Sequence, residues 1–234
     1  MKKWLMALAA VLLTAPGALV AQEATAQRAD PHERIYDVWQ AGMDDTLVLE
    51  RGLKQIRAQL APLPQFVELE RLRPGALDKI IDLVRPIMRE QSDRVEAEYR
   101  PRMIALLRSG LSRAEAAEVA EFYASPLGRK VLAANAANMQ SSSVVNAAVS
   151  GGAVSTADVQ ADIRGTENAV RDSFTQAELA QFYREFVARP GLAKLAPLVP
   201  RVAALRAEME SERLNDEEQA RFNAALEAEF APRD

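Results

Sequence analysis

Apolar residues along the chain recur at helical spacing, broken at intervals by proline and glycine, and runs of β-branched or aromatic residues are missing. Pro31 opens a first segment in which Ile35, Val38 and Trp39 share one side. Leu47, Leu53, Ile56 and Leu60 continue that spacing until Pro62 and Pro64 interrupt it. A short segment with Phe66, Leu69 and Leu72 stops at the turn dipeptide Pro74-Gly75. From Leu77 to Leu107 one apolar phase then holds over about eight turns, ending at Arg108-Ser109-Gly110. Pro86 and Pro101 lie inside it, and each is expected to kink or break the helix because it lacks a backbone donor. Between Ala133 and Thr156 the composition shifts to Ala, Asn, Ser and Gly, and Ser150-Gly151-Gly152 reads as a linker. Val159, Ile163 and Val170 resume the helical spacing, followed after Pro200 by Val202, Leu205 and Met209. Asn215 with Glu218 marks the start of a last helix carrying Phe222, Leu226 and Phe230 inward. The pattern predicts an all-α fold.

One phrase is written twice. Leu111-Ser112-Arg113-Ala114-Glu115 leads to Glu121-Phe122-Tyr123-Ala124-Ser125-Pro126-Leu127-Gly128-Arg129-Lys130. Phe174-Thr175-Gln176-Ala177-Glu178 leads to Glu185-Phe186-Val187-Ala188-Arg189-Pro190-Gly191-Leu192-Ala193-Lys194. The cap residues Ser112 and Thr175 are 63 positions apart and the prolines 64. Ser112 with Glu115, and Thr175 with Glu178, fit the capping box, in which each side chain satisfies a free backbone donor of the other residue. Pro126 disfavours helix at Ser125, while Ser caps well and Pro is at home in a first helical turn. Ser125-Pro126 therefore ends one helix and starts the next almost without a loop. Gly128 lets the two backbones approach. Phe122 is expected to wedge into the corner core, with Tyr123 nearer the surface. In the second copy Arg189 stands where the first has its capping serine, so that corner should be looser.

These signals divide the chain into a leader at 1–26, an N-terminal helical region at 27–100, a first helical-hairpin module at 101–149, a linker at 150–156, and a second module at 157–234. The expected architecture is a bundle of helix–corner–helix hairpins with an internal repeat.

The stretch from about residue 100 to 140 resembles the bacterial domain-of-unknown-function family 2059. An acidic helix followed by Phe-Tyr-x-Ser-Pro-x-Gly and a basic residue carries the likeness, and Phe122, Tyr123, Ser125, Pro126, Gly128 and Lys130 fall on that motif. In the second copy Val187 replaces the tyrosine, Arg189 replaces the serine and the glycine is displaced, so it looks like a divergent repeat. The resemblance implies a small helical domain in secreted bacterial proteins and implies no known activity. The six motif residues are the candidate interaction or structural site.

Composition adds a compartment. Lys2 and Lys3 precede an uncharged run from Trp4 to Leu13, and small residues follow Thr14, Pro16 and Gly17. That order is a secretory signal, with cleavage after Ala26 or after Ala21. The apolar run is short of the ~20 residues a spanning helix needs. The expectation is a periplasmic or secreted protein that does not span the membrane once the signal is removed. The formal charge of −4 becomes −5 without residues 1–26, which carry Lys2, Lys3 and Glu23. So mild an acidic balance argues against nucleic-acid binding.

Chemistry is sparse. The absence of cysteine excludes thiol catalysis, cysteine-ligated zinc and iron–sulfur clusters. His32 is the single histidine, too few for a multi-histidine zinc site. Glu115 with Glu118, and Glu217 with Glu218, are the neighbouring carboxylates, and capping explains both pairs better than acid–base work. Arg129 and Lys130 beside a helix start are expected to reach solvent rather than hold an anion. No catalytic, metal or cofactor site is expected. The leading expectation is a secreted, non-enzymatic helical protein that binds another envelope component, such as an envelope protein. The alternative is a carrier of a lipid or other apolar ligand between helices.

Overall fold

A computed structural model describes residues 30–42, 45–139, 146 and 153–231. The leader expected at 1–26 and the Ser150-Gly151-Gly152 linker lie outside the described residues. Among those residues the chain is helical throughout, without a strand.

Asp30 caps α1 (Pro31–Ala41), accepting a bond from the His32 amide at 3.2 Å. The next two helices, α2 (Asp45–Leu60) and α3 (Pro64–Leu72), lead to the long α4 (Ala76–Gly110). Glu70 of α3 closes the start of α4 by accepting from the amides of Gly75 at 2.9 Å and Leu77 at 2.7 Å.

Pro86 and Pro101 do not break α4, which runs 35 residues through both. At ~1.5 Å per residue this is a rod about 50 Å long. Each proline frees the carbonyl four residues back, here on Asp82 and Ala97. Both of those residues are exposed, where water can satisfy what the helix loses. The boundary expected between residues 100 and 101 lies inside this rod.

Past α4, the hairpin of α5 (Arg113–Ala124) and α6 (Pro126–Asn138) packs beneath α1. Arg51 of α2 donates to the Ala136 carbonyl at 2.6 Å and so covers the C-terminal end of α6. The chain then forms α7 (Thr156–Asp172), α8 (Gln176–Ala188), the single turn α9 (Pro190–Ala193), a 3₁₀ turn (Ala196–Leu198), α10 (Val199–Glu210) and α11 (Asp216–Phe230). Asn215 and Glu218 make the capping box expected for α11.

The rod is the scaffold: α1, α2, α3, α10 and α11 all lie against it. One continuous core joins Trp39 of α1, Leu107 of α4, Phe122 and Tyr123 of α5, Phe182 of α8 and Leu192 of α9. Residues of both expected modules therefore share one interior. A smaller cluster, with Val154, Val159, Ile163, Ala203 and Ala207, fills the space between α7 and α10. The periphery is looser than the apolar spacing predicts. Leu72 is 62% exposed, and Phe222, Leu226 and Phe230 of α11, expected inward, are only half-buried. Short helices lying on a single neighbour cannot cover both sides of an apolar stripe.

Candidate functional site

The site is the corner between α5 and α6. The Ser112 hydroxyl accepts from the Glu115 amide at 3.3 Å, and the Glu115 carboxylate accepts from the Ser112 amide at 2.8 Å. At the other end of α5, Ser125 takes extended backbone (φ −71°, ψ 162°), and its hydroxyl accepts from the Gly128 amide at 3.1 Å. Pro126 occupies the first turn of α6, as the sequence predicts. Gly128 is required by contact: a Cβ there would lie 2.0 Å from the Phe122 carbonyl oxygen and 2.5 Å from the Tyr123 Cα.

Phe122 is completely buried. Tyr123 is buried as well, at 1% exposure, and this corrects the expectation that it lies near the surface. Neighbouring side chains on a helix point about 100° apart, which separates inside from outside only where one side faces water. Here α5 is covered on more than one side. Trp39 of α1 meets Tyr123 edge-on at 5.6 Å, and Phe182 of α8 meets Phe122 at 5.9 Å. The two rings of the corner are themselves edge-on at 5.2 Å. Alanines 116 and 120, both fully buried, keep that side of α5 low so that α1 can approach. Burial drives the Tyr123 phenol far above its ordinary range, against a smaller opposing effect of the Trp39 indole.

The basic end of the motif is not simply solvated. Lys130 pairs with Glu178 of the second capping box and sits 5.1 Å above the Phe174 ring. Arg129 donates to the Ala124 carbonyl. Both side chains are exposed, as expected, and each also finds an acceptor, Lys130 on the second phrase and Arg129 on its own. In return, Lys194 at the end of the second phrase pairs with Glu115 of the first box at 2.6 Å. Each phrase thus supplies the lysine that the other's capping glutamate binds. Hydrogen bonding from Lys194, then from Ser112, holds the Glu115 carboxyl at about 2. Lys130 and Thr175 do the same for Glu178, also at about 2.

The remaining candidates have structural employment. Glu118 accepts from the Gly191 amide at 3.1 Å, and a Cβ on Gly191 would lie 2.5 Å from the Glu115 carbonyl oxygen. Glu218 caps α11 and binds Arg94 at 3.0 and 3.1 Å. His32 is buried in the first turn of α1, with Nδ1 2.8 Å from Asp30 Oδ1 and Nε2 3.0 Å from the Leu111 carbonyl oxygen. Among the described residues no group of three or more His, Asp or Glu is arranged to hold a metal ion.

Two features of this site were missed in the sequence. The reciprocal lysine–glutamate exchange had a signal: each phrase carries Glu three residues after its cap and Lys at its close. The place of Trp39 over Tyr123 had none, because a contact across 84 positions leaves no local spacing.

Fold and site together define an all-helical protein organised around a capped, aromatic-filled helix corner. Residues 97–156 match the model of the family described as "Uncharacterized protein conserved in bacteria (DUF2059)". The match takes in the end of α4, the whole α5–α6 hairpin and the first residue of α7; the second phrase lies beyond it. No curated protein matches the chain, and no solved structure does.

Proposed function

We propose that this is a secreted, non-enzymatic helical protein that acts by binding another component of the cell envelope, and that α8 is its contact surface. The observation carrying this reading is the apolar side that α8 leaves open. Val187 is 82% exposed and Tyr183, one turn earlier, is 40% exposed. Leu179 and Phe186 flank them half-buried, while Phe182 alone is buried on that helix. An apolar strip with an aromatic hydroxyl on a helix is the usual grip for a protein partner.

The signal layout of residues 2–21 supports a periplasmic or secreted location. Among the described residues, no helix is long and apolar enough to cross a membrane. The structural roles of His32, Glu115, Glu118 and Glu218 support a non-enzymatic reading. We also read the two phrases as copies of one ancestral unit, supported by their matched capping boxes and their exchange of lysines.

The test is capture from envelope extract with the wild-type protein and with a Tyr183→Ser, Val187→Ser double variant. Loss of a captured protein in the variant, with an unchanged melting temperature, supports the reading. Equal capture by both overturns the assignment to α8. A small apolar molecule released in native mass spectrometry, with no captured protein, points instead to the carrier alternative.

A further inference from the structure

We infer that His32 is a proton-dependent latch: α1 is clamped onto the α4–α5 turn through both ring nitrogens, which requires the doubly protonated imidazole. Nδ1 lies 2.8 Å from Asp30 Oδ1 and Nε2 lies 3.0 Å from the Leu111 carbonyl oxygen. A backbone carbonyl can only accept a hydrogen bond, and so can an ionised carboxylate. Asp30 stays ionised: burial works to raise its carboxyl, but hydrogen bonds from His32 and Arg108 outweigh that and hold it at about 2. Both partners being acceptors, both nitrogens must donate. A neutral imidazole has only one N–H, so it keeps one bond and turns a lone pair on the other acceptor.

Asp30 touches the ring from the α1 end, and Arg108 of α4 binds Asp30 at 2.8 Å and Glu33 at 3.0 Å. The turn into α5 contributes the Leu111 carbonyl. Two carboxylates against one guanidinium leave a local charge of −1, which an imidazolium neutralises. Burial of His32 makes the lost bond costly, since a buried acceptor left without its donor has no water to turn to.

The latch acts on the helix that covers the corner. It holds the first turn of α1, and two turns later Trp39 seats on Tyr123. A docked α1 uses both ring N–H groups, whereas a released α1 needs neither. The clamp is therefore complete at low pH and weakens as pH rises, opening α1 by up to about tenfold per pH unit for a single proton.

His32 is the single histidine, so ¹⁵N-labelled protein purified without a histidine tag reports it without assignment. Long-range nitrogen–proton spectra are recorded from about pH 5 to 9, with hydrogen exchange of the α1 and α8 peptides at the same points, corrected for intrinsic exchange. Both ring nitrogens should be protonated at the acid end. Loss of one proton should coincide with increased opening of α1 relative to α8. In His32→Gln the pH-dependent part of α1 opening should vanish. A neutral ring at pH 5, or proton loss without a change in α1, overturns the latch. An unchanged pH dependence in a folded His32→Gln variant does the same, and the wild-type measurement stands if that variant does not fold.

Discussion

The two corners begin alike and finish differently. Both open with a capping box, and both turn on a proline. In the first, Ser125 caps the next helix with its side chain, and α6 runs 13 residues. In the second, Arg189 makes no side-chain cap bond and the following helix, α9, lasts four residues. Arg189 pairs back with Glu185 of its own helix. Downstream, a 3₁₀ turn carrying Pro197 precedes α10, whose first turn carries Pro200. The flanking helices differ as well. On α5 five residues are buried, with α1 lying over its alanines; on α8 the single buried residue is Phe182. A shared local phrase thus produces a core element where a third helix covers it, and an open face where none does.

The widest separation between the corners should come from their aromatics. Phe122→Ala removes a fully buried ring and should destabilise by about 3 to 5 kcal/mol. Phe186→Ala, at a half-buried position of α8, should cost about 1 kcal/mol. Paired chemical-denaturation curves measure both, and equal losses would erase the contrast between packed and open corner.

A smaller difference follows from the caps. Ser125→Ala should cost about 1 kcal/mol by leaving the Gly128 amide without its acceptor. Arg189→Ser supplies the missing cap while giving up the pair with Glu185, for a gain of a few tenths, about 0.5 kcal/mol at most. Thermal melts at fixed pH compare the two, and a destabilising Arg189→Ser would mean that the second corner depends on its ion pair instead.

The smallest effect probes what the corners share. Glu115 and Glu178 are both held at about 2, below the ordinary carboxylate range. Their folded-state values are depressed, so the stability they contribute is present above about pH 4.5 and is lost as pH falls toward 2. The Glu115→Gln, Glu178→Gln double variant should show a flatter loss of stability over that window than wild type. Parallel acid titrations followed by circular dichroism would expose an indifferent pair.

Much of the helix plan was legible in the chain. Ser112-x-x-Glu115, Ser125-Pro126 and Asn215-x-x-Glu218 act within four residues of one another, and each forms the cap its spacing implies. Pro86 and Pro101 did not break α4, because a helix can run through a proline where the carbonyl it frees belongs to an exposed residue, as Asp82 and Ala97 are. Tyr123 misled for a related reason. Its direction on α5 was readable, but the occupant of that side, Trp39, comes from a segment 84 residues away.

Local chemistry by itself determined the all-helical class, the position of the corner and the glycine that closes it. Caps, turns and helical periods depend on neighbours in sequence, and those are written in order. Only tertiary structure decided that the two phrases exchange lysines, that α1 buries Tyr123, and that α8 keeps Tyr183 and Val187 in the open. Burial and pairing depend on which distant surfaces meet, and one helix with apolar residues all round serves equally well as a core element or as an interface until its neighbours are in place.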